Sequence, residues 1–349
     1  MTHRHSVFPA LAVPAFAAIL ALAAGGTAVL VQGPAVIGTG PISHIAVSTS
    51  DVEATARQIA AVFDFPVPTV NSNNRLAQPP EGAETAVAKA ATVFFPNFLL
   101  EIQSSATDFG PIFDTVKNYG PLTVHHISFG VKNDAYRATR DQLVTKGGNG
   151  SWRGGTWTTT WSYVDFRESM GFTFEPISQQ IYDMLDGRRA KTVEENRKTA
   201  AVEPGNTLGT QPVTKVGIVV RNIDAASKLY ADVLGVTIPP ARDVKQMEFP
   251  AGSKANPKAY IRTTSWMHAN NVAIELIEPV GAPSPWADYM AKQKGNAVHH
   301  LTFKVGDKLP ALIKLGQQKG GVVTYGRPGG NTAYLDFTEK IGFVVALEK

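Results

Sequence analysis

A pair of adjacent histidines occurs twice in this chain, each time at the head of a segment that alternates apolar and polar residues. The first pair lies in TVHHISFGV at residues 123–131, and the second lies in AVHHLTFKV at residues 297–305, 174 positions later. Imidazole nitrogens are common ligands of divalent metals and common general bases. The repetition indicates either two strands that are similar by coincidence or a duplicated unit whose histidines once did the same work.

A second chemically distinctive segment is SWRGGTWTTTWSYVDFRES, at residues 151–169, which is rich in tryptophan, arginine and threonine. Such side chains can line a cleft and bind a polar or aromatic substrate. The candidates for that contact are Arg153, Trp157, Trp161 and Tyr163. A sheet with aromatic cross-strand pairs would have the same composition, so both interpretations stay open.

The elements that would position these residues repeat along the chain. Four strand-like segments end in a polar turn and precede a helix-like segment: ISHIAVSTSD (42–51), VHHISFGVKND (124–134), VTKVGIVVRNID (213–224) and VHHLTFKVGD (298–307). Glu101 aligns with Glu275 at the same offset of 174, and His44 aligns with Lys215 at an offset of 171. This agreement predicts a duplicated chain, with residues 71–90 as a polar insertion in its first unit.

The ordered set of four units resembles the vicinal oxygen chelate superfamily, which includes glyoxalase I, methylmalonyl-CoA epimerase, extradiol dioxygenases and bleomycin resistance proteins. The resemblance covers about residues 40–349, apart from a linker. It implies an α+β fold in which four βαβββ units pair into two vicinal-oxygen-chelate domains with curved mixed sheets. We therefore expect an N-terminal domain over residues 41–182, a linker over residues 183–211 and a C-terminal domain over residues 212–349.

The resemblance also implies metal ligands on the first strand and on a later strand of each unit. Carried over to this sequence, the ligands are His44, Glu101, His126 and Glu175. Two imidazoles and two carboxylates suit a divalent ion such as Zn²⁺, Ni²⁺, Co²⁺, Fe²⁺ or Mn²⁺, and such an ion would offset the cost of burying two glutamates. His125 is the neighbour of His126 in an alternating strand, so we expect its side chain on the opposite face.

The C-terminal half departs from this pattern. Lys215 and Ala346 occupy two of the four ligand positions, and only Glu275 and His300 remain. We therefore expect this half to bind no metal and to serve as a scaffold or to cover the substrate, with His299 either in a structural role or on the surface. This also argues against a two-domain extradiol dioxygenase, since the resemblance would place the iron of such an enzyme in the C-terminal half.

The ligand set resembles that of glyoxalase I and the epimerases rather than the three-ligand set of the dioxygenases. It implies a metal-dependent isomerase or lyase in which the metal acts as a Lewis acid and a glutamate moves a proton. Glu175 is the first candidate for this general base and Glu101 is the second. An extradiol-type dioxygenase, another metal-dependent lyase and a non-catalytic protein that sequesters a small molecule remain alternatives, because one scaffold hosts all of them.

The chain begins with a segment that is typical of exported proteins. MTHRHSVFPALAVPAFAAILALAAGG has a short basic start and an apolar stretch from Val7 to Ala24, and small residues follow within a leader of residues 1–40. We expect a cleaved signal peptide and a periplasmic or secreted protein. An uncleaved anchor in the inner membrane is the alternative.

Composition excludes several classes of function. The chain has 0 cysteines, which rules out disulfides, thiolate metal sites and a cysteine nucleophile. Its net charge is +4 and its charges are scattered, so we expect no nucleic-acid partner. The expected partner is a small-molecule substrate, and the expected assembly is a monomer or a homodimer. Export would also make a thiol cosubstrate or a CoA ester scarce.

Overall fold

The computed structural model describes residues 40–349 apart from 78–84, 133–134, 156–159, 200–205, 270 and 327–328. Residues 1–39 of the leader, which include the predicted signal peptide, lie outside the described residues, and so does Trp157. Within the part of the chain that is described, no helix is both long enough and apolar enough to cross a membrane.

The N-terminal lobe, which we define as residues 41–182, contains the first two units. The first unit consists of β1 (Ile42–Ser48), α1 (Val52–Phe63), β2 (Asn71–Ala77), β3 (Thr85–Phe95) and β4 (Phe98–Ser105), followed by α2 (Pro111–Tyr119). Asp51 begins α1 by accepting a hydrogen bond from the backbone N–H of Ala54 at 2.8 Å. The prediction of a polar insertion at residues 71–90 is wrong, because β2 and the start of β3 belong to the sheet.

The second unit repeats this order of elements. It consists of β5 (Thr123–Val131), α3 (Tyr136–Thr145), β6 (Asn149–Gly155), β7 (Thr160–Asp165), α4 (Arg167–Met170) and β8 (Thr173–Ser178). The long helix α5 (Gln179–Thr199) follows β8 directly, so the linker predicted at residues 183–211 begins inside this helix. A 3₁₀ turn at Leu208–Thr210 leads into the next unit.

The C-terminal lobe, residues 212–349, contains the other two units. The third unit consists of β9 (Val213–Val219), α6 (Ile223–Leu234), β10 (Arg242–Val244), β11 (Tyr260–His268) and β12 (Val272–Val280), followed by α7 (Pro285–Ala291). The fourth consists of β13 (Ala297–Lys304), a 3₁₀ turn (Gly306–Lys308), α8 (Leu309–Gln318), β14 (Val322–Tyr325), β15 (Thr332–Asp336), α9 (Thr338–Ile341) and β16 (Val344–Glu348). The predicted α+β class and the four βαβββ units are thus confirmed.

Each lobe forms one mixed sheet of eight strands. In the N-terminal lobe the sheet closes into a barrel in the order β1-β4-β3-β2-β6-β7-β8-β5, and the pair Ala77 and Arg153 joins β2 to β6. In the C-terminal lobe the sheet stays open in the order β10-β11-β12-β9-β13-β16-β15-β14. The first strands of paired units lie side by side in both lobes, since β1 pairs with β5 and β9 pairs with β13.

The hydrophobic core lies on the helix-covered face of both sheets. The ring of Phe63 on α1 lies 4.9 Å from Phe95 on β3 and 5.7 Å from Phe303 on β13, so a single core joins the lobes. Because strand side chains alternate between faces, the residues between core residues point into the interior of the barrel. That interior is where the predicted ligands lie.

Candidate metal centre

The four predicted ligands come from four adjacent strands, β4, β1, β5 and β8. Glu101 illustrates how the sequence aims them. Its neighbours Leu100 and Ile102 are both fully buried in the helix-covered core, so the carboxylate between them points into the barrel. The same alternation aims the other three ligands inward.

Strand register brings the ligands to one level of the barrel. Ala46 on β1 is paired with Glu101 on one side and with His126 on the other. Ser128, two residues after His126 on β5, is paired with His44 on one side and with Glu175 on the other. The four ligands therefore lie in two neighbouring rows of the sheet.

Their polar atoms converge. The Nε2 atoms of His44 and His126 are 3.2 Å apart. The Oε2 atom of Glu175 lies 3.1 Å from His44 Nε2 and 3.4 Å from His126 Nε2. The Oε2 atom of Glu101 lies 3.6 Å from each of these nitrogens. All four predicted ligands are thus brought to one place.

Five of the six separations among the four ligand atoms are close to the edge length of a tetrahedral metal site. Four ligand atoms arranged tetrahedrally at about 2.1 Å from a zinc ion are ~3.4 Å from one another. The five distances that involve an imidazole nitrogen run from 3.1 to 3.6 Å. His44, His126 and Glu175 form the compact part of the group, with ligand atoms within 4.8 Å of one another. The donor set fits a divalent ion, with Glu101 at the longer distances.

The lack of a hydrogen-bond donor to Glu175 Oε2 among the described residues also suits a bound cation. The residue is 5% exposed, and its Oε2 atom has no hydrogen-bond partner among the described residues, although two imidazole nitrogens lie at ion-pair distance. A buried carboxylate oxygen without a donor is costly. The other ring nitrogen of each histidine is engaged, by Ser43 Oγ at 3.1 Å from His44 Nδ1 and by His125 Nδ1 at 2.9 Å from His126 Nδ1. The two Nε2 atoms, which lie 3.2 Å from each other, thus both face the position that a metal would occupy.

The carboxylates dominate the electrostatics of the group. Burial lowers the pKa of His44, but the nearby Glu101 and Glu175 outweigh burial and raise this pKa to about 9. Burial would raise the pKa of Glu101, yet the neighbouring imidazoles of His126 and His44 hold it well below its usual range. Positive charge is therefore strongly favoured between the two carboxylates, as a proton on imidazole or as a metal ion.

The expectation that His125 points to the opposite face from His126 is wrong. Their Nδ1 atoms are 2.9 Å apart, and both rings contact Tyr163, with centroid distances of 4.8 and 5.0 Å. The cause is a β-bulge: Ala46 pairs with His126 but the next residue of β1 pairs with Val124, so β5 carries one extra residue. Both histidines therefore point into the barrel, and burial holds the pKa of His125 well below its usual value.

A cavity of about 530 Å³ opens onto the ligands. Trp161 and Tyr163, two of the predicted substrate contacts, line it. Their rings lie 5.1 Å apart, and Tyr163 is also the cross-strand partner of Trp152, so the segment forms aromatic cross-strand pairs as well. Arg153 is exposed on β6 and does not line this cavity, and Trp157 lies outside the described residues.

Sequence reasoning missed two contributors to the cavity. Helix α5 supplies Ile181, Met184 and Leu185, because it folds back over the barrel instead of leading away from it. Gln103 lies two residues after Glu101 on the same face of β4 and donates a hydrogen bond from Nε2 to Glu101 Oε2 at 2.9 Å. The period of two along a strand was a signal that could have identified Gln103.

The C-terminal lobe retains half of the arrangement. Glu275 Oε2 lies 3.5 Å from His300 Nε2, and Thr263 Oγ1 donates a hydrogen bond to Glu275 Oε1 at 3.1 Å. Lys215, at the position that corresponds to His44, forms an ion pair with Glu348. Burial would raise the pKa of Glu275, but the hydrogen bond from His300 holds it below its ordinary value.

Known proteins are similar to this chain in two ways: one segment matches a family in sequence, and the whole fold matches a solved structure. Residues 214–335, within the C-terminal lobe, match the model of the Glyoxalase/Bleomycin resistance protein/Dioxygenase superfamily. Over 89% of this chain and 92% of the other, the fold is similar to a mutant of 4-hydroxymandelate synthase from Streptomyces coelicolor, with a TM-score of 0.57 and 12% identity. The resemblance to the superfamily is thereby confirmed, in sequence for that segment and in fold for both lobes.

Two curated relatives are epimerases. The ethylmalonyl-CoA/methylmalonyl-CoA epimerase of Cereibacter sphaeroides is 26% identical over 113 residues, which are 32% of this chain and 75% of that protein. The mitochondrial methylmalonyl-CoA epimerase of Dictyostelium discoideum is 27% identical over 106 residues, or 30% of this chain and 56% of that protein. The second match thus spans little more than half of its relative.

Proposed function

We propose that this protein, which has the vicinal oxygen chelate fold, is a divalent-metal-dependent enzyme that moves a proton on a small substrate with two neighbouring oxygen atoms. The observation that carries the proposal is the convergence of two imidazoles and two carboxylates on one point inside the N-terminal barrel. The epimerases among its relatives support proton transfer as the reaction class.

We assign metal binding to His44, His126 and Glu175, the compact part of the group, with Glu101 as a fourth and more loosely held ligand. A divalent ion bound there would supply Lewis-acid stabilisation of negative charge on a substrate oxygen. The cavity of about 530 Å³ would admit the substrate. Its aromatic and aliphatic wall, which includes Trp161 and Ile177, would limit the access of water to the reacting atoms.

We assign the general base to Glu101, which reverses the order of the two glutamates inferred from the sequence. Its side chain is 19% exposed, against 7% for Glu175, and its Oε2 atom is farther from both imidazole nitrogens. A positioned base of this kind typically contributes about 10²–10⁴ in rate.

Hydrogen–deuterium exchange tests the proposal. The protein, reconstituted with Co²⁺, would be incubated in heavy water with a panel of small 2-oxo acids, 2-hydroxy acids and sugar derivatives, and the loss of C–H signals would be followed by NMR. We expect at least one compound to exchange, at a rate about 100-fold lower in Glu101→Gln at saturating Co²⁺. Glu275→Gln, the matched change in the C-terminal lobe, should exchange at the wild-type rate.

Two results would redirect the assignment. Equal exchange in the wild type and Glu101→Gln would remove Glu101 from the role of base. Tight binding of a compound without exchange, by protein that contains no metal, would favour a protein that sequesters its ligand.

A second candidate function is iron-dependent oxygenation, since two histidines and one carboxylate are the ligand set of many non-haem Fe²⁺ oxygenases. His44, His126 and Glu175 form such a group. This alternative predicts oxygen consumption that requires Fe²⁺ and persists in Glu101→Gln. The proton-transfer proposal predicts turnover without oxygen.

We also infer that the protein acts outside the cytoplasm. The apolar segment after a short basic start supports export, and an exported enzyme would meet a small aromatic compound or sugar derivative more readily than a CoA ester. Cell fractionation and mass spectrometry of the full chain test this inference. A periplasmic protein that has lost its leader is expected, and a cytoplasmic protein of full mass would contradict it.

A further inference from the structure

Gln103 is the buried amide closest to the proposed base. It is 4% exposed, and its Nε2 donates a hydrogen bond to Glu101 Oε2 at 2.9 Å. The hydroxyl of Tyr163 lies 3.2 Å from the same Nε2 and 3.4 Å from Gln103 Oε1.

One oxygen atom of Glu101 therefore has two sets of neighbours. Its Oε2 accepts the amide hydrogen bond on one side and lies 3.6 Å from the Nε2 atoms of His44 and His126 on the other. A donor–acceptor distance of 2.9 Å is typical of a strong N–H···O bond, whereas 3.6 Å is beyond one. The amide is thus the group that fixes where this oxygen lies relative to the metal position.

The C-terminal lobe provides an internal comparison. Glu275 corresponds to Glu101 and Tyr334 to Tyr163, but the residue at the position of Gln103 is Ile277, which is fully buried. There the tyrosine hydroxyl lies 3.5 Å from a histidine Nε2 instead of contacting an amide. The lobe that lacks two of the four ligands also lacks the link from tyrosine to glutamate.

We propose that Gln103 is a positioning residue. Its amide, which contacts the hydroxyl of Tyr163, holds the carboxylate of Glu101 at the metal position. This inference rests on the proposed function, because it requires that the four side chains bind a divalent ion. Hydrogen bonds from outer groups to metal-ligating carboxylates typically change metal affinity by about 10–100-fold. Loss of the amide should therefore weaken metal binding because the carboxylate of Glu101 is no longer held in place, and not because the barrel is destabilised.

A double-mutant cycle with Co²⁺ tests the proposal. Co²⁺ affinity would be measured by competition with a chelator, and coordination would be followed by visible absorption. Gln103→Met, which keeps the length of the side chain, should weaken Co²⁺ binding by about 10-fold or more. The same change in a Glu101→Ala background should have no further effect, since the carboxylate that the amide positions is gone.

Two further variants keep the test decisive. Tyr163→Phe keeps the packed ring and should weaken binding in the same direction as Gln103→Met, so it serves if the latter fails to fold. Tyr334→Phe, the matched change in the C-terminal lobe, should leave Co²⁺ affinity unchanged.

The outcomes separate the two proposals. Wild-type protein that binds no Co²⁺ would overturn the proposed function and this inference with it. Wild-type binding with unchanged affinity in Gln103→Met and Tyr163→Phe would overturn only the positioning role. An equal loss in the wild-type and Glu101→Ala backgrounds would also overturn it, because Gln103 would then act without Glu101.

Discussion

Nε2 of His44 and Oε2 of Glu175 are 3.1 Å apart, although their strands do not pair with each other. Both residues are instead paired with Ser128, from opposite sides of β5. The first strand of the second unit therefore aligns a ligand from each of its neighbours. The same relationship holds in the C-terminal lobe, where Lys215 and Ala346 are both paired with Thr302.

This equivalence predicts that a second metal site can be installed. The double variant Lys215→His with Ala346→Glu would complete the set already present in Glu275 and His300, so we expect a second Co²⁺ ion per chain. Replacing Lys215 removes only a partly exposed ion pair, worth about 1 kcal/mol or less. The measurement is Co²⁺ stoichiometry.

Lys215→His alone is the control for this variant and should add no ion. Adding Ile277→Gln to the double variant should tighten the second site, if an amide at that position works as Gln103 does. If the double variant still binds only one Co²⁺ ion per chain, with or without Ile277→Gln, strand register is not sufficient to build the site.

The two glutamates should differ in their importance for metal binding. Glu175 Oε2 is 3.1 and 3.4 Å from the imidazole nitrogens, and Glu101 Oε2 is 3.6 Å from both. Glu175→Gln should therefore lower Co²⁺ affinity more than Glu101→Gln does. Competition with a chelator measures both, with Glu275→Gln as the control. A larger loss in Glu101→Gln would contradict the division of roles proposed above.

Alanine variants of His125 and His299, the first histidine of each pair, should distinguish an effect on stability from an effect on metal binding. His125 and His299 occupy equivalent bulges, with Nδ1 distances to the following histidine of 2.9 and 3.1 Å. Both are buried, so replacing either by alanine should lower the free energy of unfolding by about 2 kcal/mol through the cavity that it leaves. Only His125→Ala should also weaken Co²⁺ binding, because only His125 orients a metal ligand.

Urea denaturation and Co²⁺ titration of His125→Ala and His299→Ala check this prediction. If His299→Ala weakened Co²⁺ binding as much as His125→Ala, the effect would come from general loosening of the fold.

His268 should make the fold sensitive to acid. Burial lowers its pKa to about 4, although a hydrogen bond with the carbonyl of Gly40 opposes this shift. The folded-state pKa is below the unfolded value of about 6.5, so the unfolded chain binds the extra proton between these values. The stabilisation is present above pH 6.5 and is lost as the pH falls toward 4.

Urea denaturation at pH 7 and pH 5 measures this effect. Wild type should lose about 2 kcal/mol more than His268→Gln does over this interval. Equal pH dependence in the two proteins would show that His268 is not the group responsible.

The sequence predicted much of the fold from strand alternation and from the internal offsets of 171 and 174, whereas the set of candidate ligands came from the resemblance to the superfamily. Alternation fails where a strand gains a residue, and the bulge at His125 therefore reversed the predicted direction of that side chain. Gln103 lay within reach of the same reasoning, but its role depends on contact with Tyr163 from a distant strand. The path of α5 over the cavity depends on packing that periodicity does not reveal.

Elemental analysis of protein purified without added metal tests the central claim most directly. We expect about one divalent ion per chain in the wild type, less than a tenth of that in His44→Ala, and an unchanged content in Lys215→Ala, the matched change in the other lobe. Equal metal content in the wild type and His44→Ala, or none in either after incubation with Co²⁺, Fe²⁺, Mn²⁺, Ni²⁺ and Zn²⁺, would contradict the claim that these four side chains form a metal site.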